Sequence, residues 1–293
     1  MYPKMANTAI NISNSTKLNI YSYNLKGINQ GRSLLTDLCT LKNAHIIFVQ
    51  EHWQTPANLP KILNFHENFI GYGISAMNNV ISKGILRGRP YGGVATLIHS
   101  SLADRVVCLK CEERFVVITL CNVMFNNVYM QYSTTVDNIS IIQSIIYELG
   151  VLINLFPDYE IVLGGDINTA LNVNSEPSRL FRSFMQDFKL TLVIDIIQPL
   201  CNYTYHNESL DQYSFIDYFM VSSGVANKLL EFVVVQDLVN LSDHLAIFMC
   251  ANLLNIQPND VSRNADPTKN KKPRLRWDLS NLKTYYDASY AGA

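Results

Sequence analysis

The chain has 293 residues, 48% of them hydrophobic and 16% charged, with a formal net charge of −1. That hydrophobic content supports a large buried core and excludes an intrinsically disordered chain. The near-zero charge excludes a global basic field, so any contact with a polyanion has to rest on local patches or on a metal.

The length admits two domains or one large sandwich-like domain. Six cysteines stand at 39, 108, 111, 121, 201 and 250. Several lie in apolar runs, where free cysteine behaves as a small hydrophobe. Cys108-Leu-Lys-Cys111 has C-x-x-C spacing but no second pair and no neighbouring Cys or His, so a zinc or redox motif is not expected there. A reducing compartment is the simpler reading. The N-terminus lacks a basic-then-apolar signal, and no apolar run reaches ~18 residues, so neither a signal peptide nor a membrane span is expected.

Residues 1–16 are rich in Asn, Ser and Thr and look like a flexible leader. Leu18 to Tyr23 alternates as a strand does and stops at Asn24. Apolar residues at 34, 35, 38 and 41 predict a helix over Ser33 to Leu41. His45 to Gln50 is a second buried strand, ending at Glu51. From 55 to 91 the chain reads as loop-rich, with Lys83, Arg87 and Arg89 beside glycines, a pattern that suits either a solvated loop or contacts to phosphates. Strands follow at 92–98 and near 104–109, 114–121 and 127–132, a helix-free succession that suggests antiparallel sheet. Asp137 reads as the N-cap of a helix running to Asn154.

Ile161-Val-Leu-Gly-Gly-Asp166-Ile-Asn168 is the organising stretch. A buried strand ends in two glycines, then in a carboxylate and a carboxamide two residues apart, which face the same side in extended chain. Taken alone it also suits a simple turn. A helix is predicted from Pro177 to Lys189, and the last third is mostly strand. Asp217 sits in the apolar run Tyr213 to Val221, where a carboxylate is costly unless paired or metal-bound. Strands at Phe232 to Val235 and Ala246 to Ala251 flank Leu241-Ser242-Asp243-His244. After about 255 a basic run, Lys269 to Arg276, reads as linker, with nuclear import or polyanion binding as the alternative.

Asn24, Glu51, Asp166, Asn168, Asp217, Asp243 and His244 thus all stand near strand ends, where α/β folds collect ligand sites. The set suits metal-assisted phosphodiester hydrolysis. A divalent ion on Glu51 neutralises a phosphate oxygen. Asp166 deprotonates an attacking water that Asn168 positions. His244, raised in pKa by Asp217 or Asp243, holds positive charge near the phosphate. Oxygen ligands favour Mg²⁺ or Mn²⁺ over zinc.

Tyr23-Asn24-Leu-Lys-Gly27, Val49-Gln-Glu51-His-Trp53, Gly164-Gly-Asp166-Ile-Asn168, Phe215-Ile-Asp217-Tyr and Leu241-Ser-Asp243-His244 together resemble the endonuclease/exonuclease/phosphatase superfamily over about residues 17–254. Glu51-His-Trp53, Gly88-Arg-Pro-Tyr-Gly-Gly-Val-Ala95 and Ser242-Asp-His244 are most similar to its non-LTR (LINE-type) retrotransposon branch. The resemblance implies a four-layered α/β sandwich of two packed mixed β-sheets flanked by helices, DNase I-like, that nicks double-stranded DNA with Mg²⁺. It implies Glu51 as metal ligand, joined by Asn24 and Asp243, which would also lie at the scissile phosphate with His244. Asp166 and Asn168 would act at the nucleophile, Asp217 would support His244, and Tyr129 (or Tyr132) would face the phosphate. Arg87, Arg89, Thr204 and Ser242 would serve DNA binding, with Thr204 shaping a DNA-contacting hairpin at 205–213. It further implies nuclear action, no membrane partner, and a tail at 255–293 leading towards a reverse transcriptase. Two residues depart from the pattern. Gln131 stands where proline is usual, and Lys26 stands where repair enzymes carry an acid. Lys26 weakens an abasic-site repair reading; Gln131 and the truncated tail leave room for a catalytically decayed copy that only binds nucleic acid or protein.

Overall fold

The computed structural model describes residues 17–84, 88–131 and 136–254, without the side chains of 136–138. The leader, the basic tail, Arg87, Tyr132 and the proposed Asp137 cap lie outside what is described.

The first third contains β1 (Lys17–Asn24), α1 (Ile28–Thr40), β2 (Ile46–Gln50), α2 (Pro60–Leu63), β3 (Phe69–Ile74), α3 (Asn78–Ser82) and β4 (Val94–His99). The middle contains β5 (Val106–Glu112), β6 (Phe115–Leu120), β7 (Val123–Tyr129), the long α4 (Val136–Leu155), β8 (Glu160–Asp166) and α5 (Glu176–Asp187). The last third contains β9 (Thr191–Leu192), α6 (Val193–Ile196), β10 (Tyr205–Asn207), β11 (Gln212–Ser214), β12 (Asp217–Val221), α7 (Ser223–Ala226), β13 (Leu229–Val235) and β14 (Ala246–Asn252).

Two six-stranded sheets result, ordered β13-β14-β1-β2-β4-β3 and β5-β6-β7-β8-β12-β9, with β10 and β11 as a separate hairpin. Each is mixed. β1 runs parallel to β2 and β7 to β8, and the other pairs are antiparallel. A parallel pair needs a crossover, which α1 and α4 supply. The sequence-predicted antiparallel run at 104–132 is β5 to β7.

Strand periodicity explains the layers. Leu18 and Ile20 of β1, Phe48 of β2, Phe125 of β7, Val162 of β8 and Phe219 of β12 share the core between the sheets. The alternate residues Tyr21, Tyr23, Ile47 and Val49 pack with Leu34, Leu35 and Leu38 of α1. Val128, Leu163, Tyr218 and Met220 pack with Ile145 and Leu149 of α4 and Phe181 and Phe184 of α5. The order is helix, sheet, sheet, helix, the four-layered sandwich expected. Phe48 and Phe219 meet across the central layer with ring centroids 6.2 Å apart. Burying an aromatic ring of this kind contributes roughly 2–3 kcal/mol.

Three local expectations change. The stretch read as loop-rich contains β3, an edge strand whose glycines hide its alternation. A Cβ at Gly71 would sit 2.6 Å from Leu63 Cα, and one at Gly73 2.6 Å from the Val94 carbonyl oxygen. Helix α1 starts at Ile28 rather than Ser33, because the Gly27 N–H already donates to the Glu51 carbonyl (2.8 Å) and fixes the turn into the helix. Gly164 and Gly165 form no turn but complete β8. They permit close approach: a Cβ at Gly164 would lie 2.4 Å from the Phe219 ring, and one at Gly165 (φ +144°) 1.9 Å from the Val128 carbonyl oxygen.

Candidate active site

The inward face of the central strands turns polar at one end. In β1 the inward series Leu18, Ile20 ends in Ser22 and Asn24; in β2 it ends in Gln50; in β7 in Asn127 and Tyr129; in β8 in Asp166; in β12 it begins with Asp217. Asp166 pairs in register with Asp217 on one side and Tyr129 on the other. Sheet pairing alone therefore gathers residues from distant parts of the chain at one mouth of the sandwich.

Asp166 is fully buried and held from three directions. Its Oδ2 accepts the amides of Asn24 (2.8 Å) and Asn168 (2.9 Å), and its Oδ1 accepts the Asn168 backbone N–H (2.8 Å). Asn168 adopts φ +52°, an uncommon conformation for a residue with a side chain, and is anchored by its amide donating to the Met130 carbonyl (2.7 Å). The Asn24 amide also donates to Glu51 Oε1 (3.3 Å), so one carboxamide bridges both carboxylates. Tyr129 Oη donates to the same Glu51 oxygen (2.7 Å), and the Trp53 indole N–H donates to Oε2 (3.0 Å). Glu51 and Trp53 also have positive φ (51° and 52°), so the chain leaves β2 in a strained arrangement that turns Glu51 into the site.

His244 Nδ1 lies 3.0 Å from Asp217 Oδ2, and its Nε2 lies 3.9 Å from Asp166 Oδ2. Of the two partners open from sequence, the structure selects Asp217. Burial alone would lower the His244 imidazole, but Asp217 and then Asp166 outweigh it and raise it well above its usual value. Burial pushes the Asp166 carboxyl above the usual carboxylate range; His244 pulls it down, Asp217 pushes it up, and Asn24 and Asn168 pull it down. Burial, followed by the Glu51 charge, raises the Tyr129 phenol, which keeps its proton and remains a donor.

The donor set fits a hard divalent cation. Among the described residues no Lys or Arg pairs with Glu51, and the acids Glu51, Asp166 and Asp217 face one imidazole. Such an excess of buried negative charge calls for a cation. Asp166, Asp217 and His244 have ligand atoms within 4.8 Å of one another. His244, held as an imidazolium with Nδ1 committed to Asp217, has no lone pair for a metal. Glu51, half-buried and held by the neutral donors Asn24, Trp53 and Tyr129, is the better anchor.

Several expected site residues are placed otherwise. The Asp243 carboxylate pairs with Lys26 Nζ at 2.6 Å, so a fixed ammonium already neutralises it, and it does not join the acids around Asp166. Asn24 turns its amide donors inward, while its oxygen accepts the Lys26 backbone N–H (3.0 Å), which argues for bridging rather than metal ligation. Thr204 is fully buried and offers nothing to DNA; its hydroxyl accepts the backbone N–H groups of Ile216 and Asp217 (both 3.1 Å), holding the hairpin against β12. The Ser242 hydroxyl is likewise engaged, donating to the Asn24 carbonyl (2.8 Å) and accepting the His244 N–H (3.1 Å). Arg89 is exposed, with its guanidinium 4.5 Å from the centroid of the Trp53 ring.

Other residues completing the site were not singled out from sequence. Gln50 donates to Asn127 Oδ1 (2.7 Å) and Ser22 Oγ (3.1 Å), and Asn127 donates to the Ala95 carbonyl (2.9 Å), a buried polar floor beneath Asn24 and Asp166. Polar residues at inward strand positions were the available signal. Asn240 accepts Tyr23 Oη (2.6 Å) and donates to the His244 carbonyl (2.8 Å), and the Tyr205 ring lies 4.9 Å from the His244 ring. Gln131, in place of the usual proline, accepts Arg114 (2.6 Å), whose guanidinium lies 5.2 Å from the centroid of the Tyr129 ring.

Solved structures share this fold. An AP endonuclease, LMAP from Leishmania major, is 16% identical with a TM-score of 0.64, covering 86% of this chain and 92% of that one. The endonuclease domain of TRAS1, a telomere-specific non-LTR retrotransposon, is 12% identical with a TM-score of 0.63, covering 81% and 99%. The 3′ phosphatase NExo from Neisseria, bound to a product DNA hairpin, is 16% identical with a TM-score of 0.62, covering 79% and 98%. Comparison with curated proteins gives no match. Residues 19–244 match the Endonuclease/Exonuclease/phosphatase family, and with its acids, amides and histidine gathered at one mouth of the sandwich the chain belongs to that family of phosphoester hydrolases.

Proposed function

We propose that this chain is a Mg²⁺-dependent endonuclease that nicks double-stranded DNA, with Mn²⁺ as an alternative ion, in the service of target-primed retrotransposition. The observation that carries the reading is the unbroken hydrogen-bonded path from Glu51 through Asn24 to Asp166, beside the His244–Asp217 pair. When bound at Glu51, the ion neutralises phosphate charge and the developing charge on the leaving oxygen. Asp166 accepts the proton of the attacking water, and Asn168 holds that carboxylate in one orientation. Both Asp166 oxygens accept N–H groups from Asn24 and Asn168, which favours the ionised form that a base needs. His244, kept cationic by Asp217, stabilises the phosphate as charge builds on it. Tyr129 keeps Glu51 in place and remains a donor at the site. Arg89, with Arg87 near it in sequence, contacts the DNA backbone.

The likeness to a retrotransposon endonuclease domain supports this reading, as does Lys26, which occupies a position where repair enzymes carry an acid. Residues 17–254 form the nuclease on this reading, and 255–293 lead to a reverse transcriptase that acts with it in the nucleus. The test is nicking of supercoiled plasmid with Mg²⁺. Conversion to open circles that disappears with EDTA and with Asp166→Ala supports the proposal; no nicking, or nicking indifferent to Asp166→Ala, removes it.

The likeness to an AP endonuclease favours a second reading, cleavage at abasic sites. A synthetic abasic duplex cut far faster than the intact duplex would select it. DNA binding without metal-dependent cleavage would instead mark a decayed copy, against which the intact hydrogen bonds around Asp166 argue.

A further inference from the structure

Strand β5 lies at the edge of its sheet and supplies nothing to the site, yet it carries two cysteines in contact. Cys108 Sγ and Cys111 Sγ are 3.5 Å apart. Residues three apart on a regular strand point to opposite faces. Here the ladder shifts between Cys108 and Lys110, so Cys108 stands opposite Ile118 and Cys111 opposite Val116. The bulge absorbs one residue and returns both thiols to the same face, where they pack on the central core. Both are half-buried, and the other four cysteines make no sulfur–sulfur contact.

We propose that Cys108 and Cys111 form a thiol–disulfide exchange site, oxidised to an intramolecular disulfide by a low-molecular-weight disulfide such as oxidised glutathione. Closing the bond to about 2.0 Å requires each sulfur to move by less than ~1 Å. The contact between the two sulfurs, across which either can donate, lowers the Cys108 thiol despite burial and raises Cys111. Cys108 is therefore the attacking thiol. Its thiolate bonds to one sulfur of the small disulfide, whose S–S bond breaks, and the departing thiolate takes up the proton Cys108 released. The Cys111 thiolate then attacks Cys108 Sγ, and the second small thiolate leaves with the Cys111 proton. Two protein thiols and one small disulfide become one protein disulfide and two small thiols, with no net proton. The loop closed is very short, so the bridge adds little through chain entropy; it acts by removing two reactive thiols and pinning the bulge.

The experiment treats the full chain with oxidised glutathione, alkylates the remaining thiols and maps the peptides by mass. The expected peptide spanning 108–111 has lost two hydrogens, resists alkylation and recovers with dithiothreitol. Cys111→Ser is expected to stop at a glutathione adduct on Cys108. The wild-type measurement decides alone if that variant does not fold. Two free alkylated thiols, or two separate glutathione adducts, would overturn the assignment.

Discussion

The Trp53 indole N–H donates to Glu51 Oε2 at 3.0 Å, while its ring lies between Gly27 and the Arg89 guanidinium. Trp53 thus orients the carboxylate proposed above to hold the ion. Trp53→Phe keeps a ring in that slot and deletes the donor. Loss of a hydrogen bond that orients a metal ligand costs roughly tenfold or more in metal affinity. Mn²⁺ titration by calorimetry is expected to show that loss with the fold intact. Equal affinity in the variant would remove Trp53 from the site.

Asp217→Asn removes the charge that keeps His244 cationic. In the native chain the imidazole is raised, so the stability that the pair supplies is complete below about pH 6.5, the unfolded value. It is lost as pH rises through the raised folded value. In Asp217→Asn the imidazole should titrate nearer its ordinary range by NMR, and the variant should lose about 3 kcal/mol near neutrality, as expected when one partner of a buried pair is removed. An unshifted titration would contradict the pairing.

His45 behaves in the opposite sense. Its Nδ1 accepts the Asn19 N–H (2.9 Å), which requires the neutral ring, and burial followed by nearby His99 lowers its pKa to about 4. The unfolded chain takes the proton first, so this stability is complete above about pH 6.5 and is lost as pH falls towards 4. Between pH 7 and 5 the wild type should lose about 1–2 kcal/mol more than His45→Gln in urea unfolding. Parallel pH profiles would refute the assignment.

Gly165→Ala should be among the most damaging small substitutions in the chain. Its Cβ would meet the Val128 carbonyl oxygen at 1.9 Å in a left-handed backbone region. Separating β7 from β8 to make room would disturb Asp166 directly. A loss of about 3 kcal/mol or more is expected by urea titration, on the scale of backbone strain plus a broken ladder.

Much of this architecture was readable in advance, and the reasons are local. Asn24, Glu51, Asp166 and Asp217 each interrupt or end an apolar run, and a strand end is visible without coordinates. The partners of Thr204, Ser242 and Asp243 were not legible, because they are main-chain groups or a lysine far along the chain, Lys26, which is 217 positions from Asp243. Short polar side chains look alike whether they face DNA or cap a neighbouring strand. Gln50 and Asn127 were overlooked because a polar floor emerges only when the two sheets are superposed. The edge strand β3 was lost to its glycines, which weaken a strand signal while meeting the close contacts of Gly71 and Gly73.

Asn24 ends a strand of one sheet and Glu51 follows directly on another strand of it, Tyr129, Asp166 and Asp217 belong to the other sheet, and His244 enters from the loop before β14. The reacting groups therefore keep their spacing only while the two sheets remain docked. A slip of either sheet along the apolar seam would separate Asp166 from Glu51 before a single ladder had melted. Catalysis should accordingly fade at lower denaturant than secondary structure does, and the seam around Phe48 and Phe219 serves as a remote determinant of turnover.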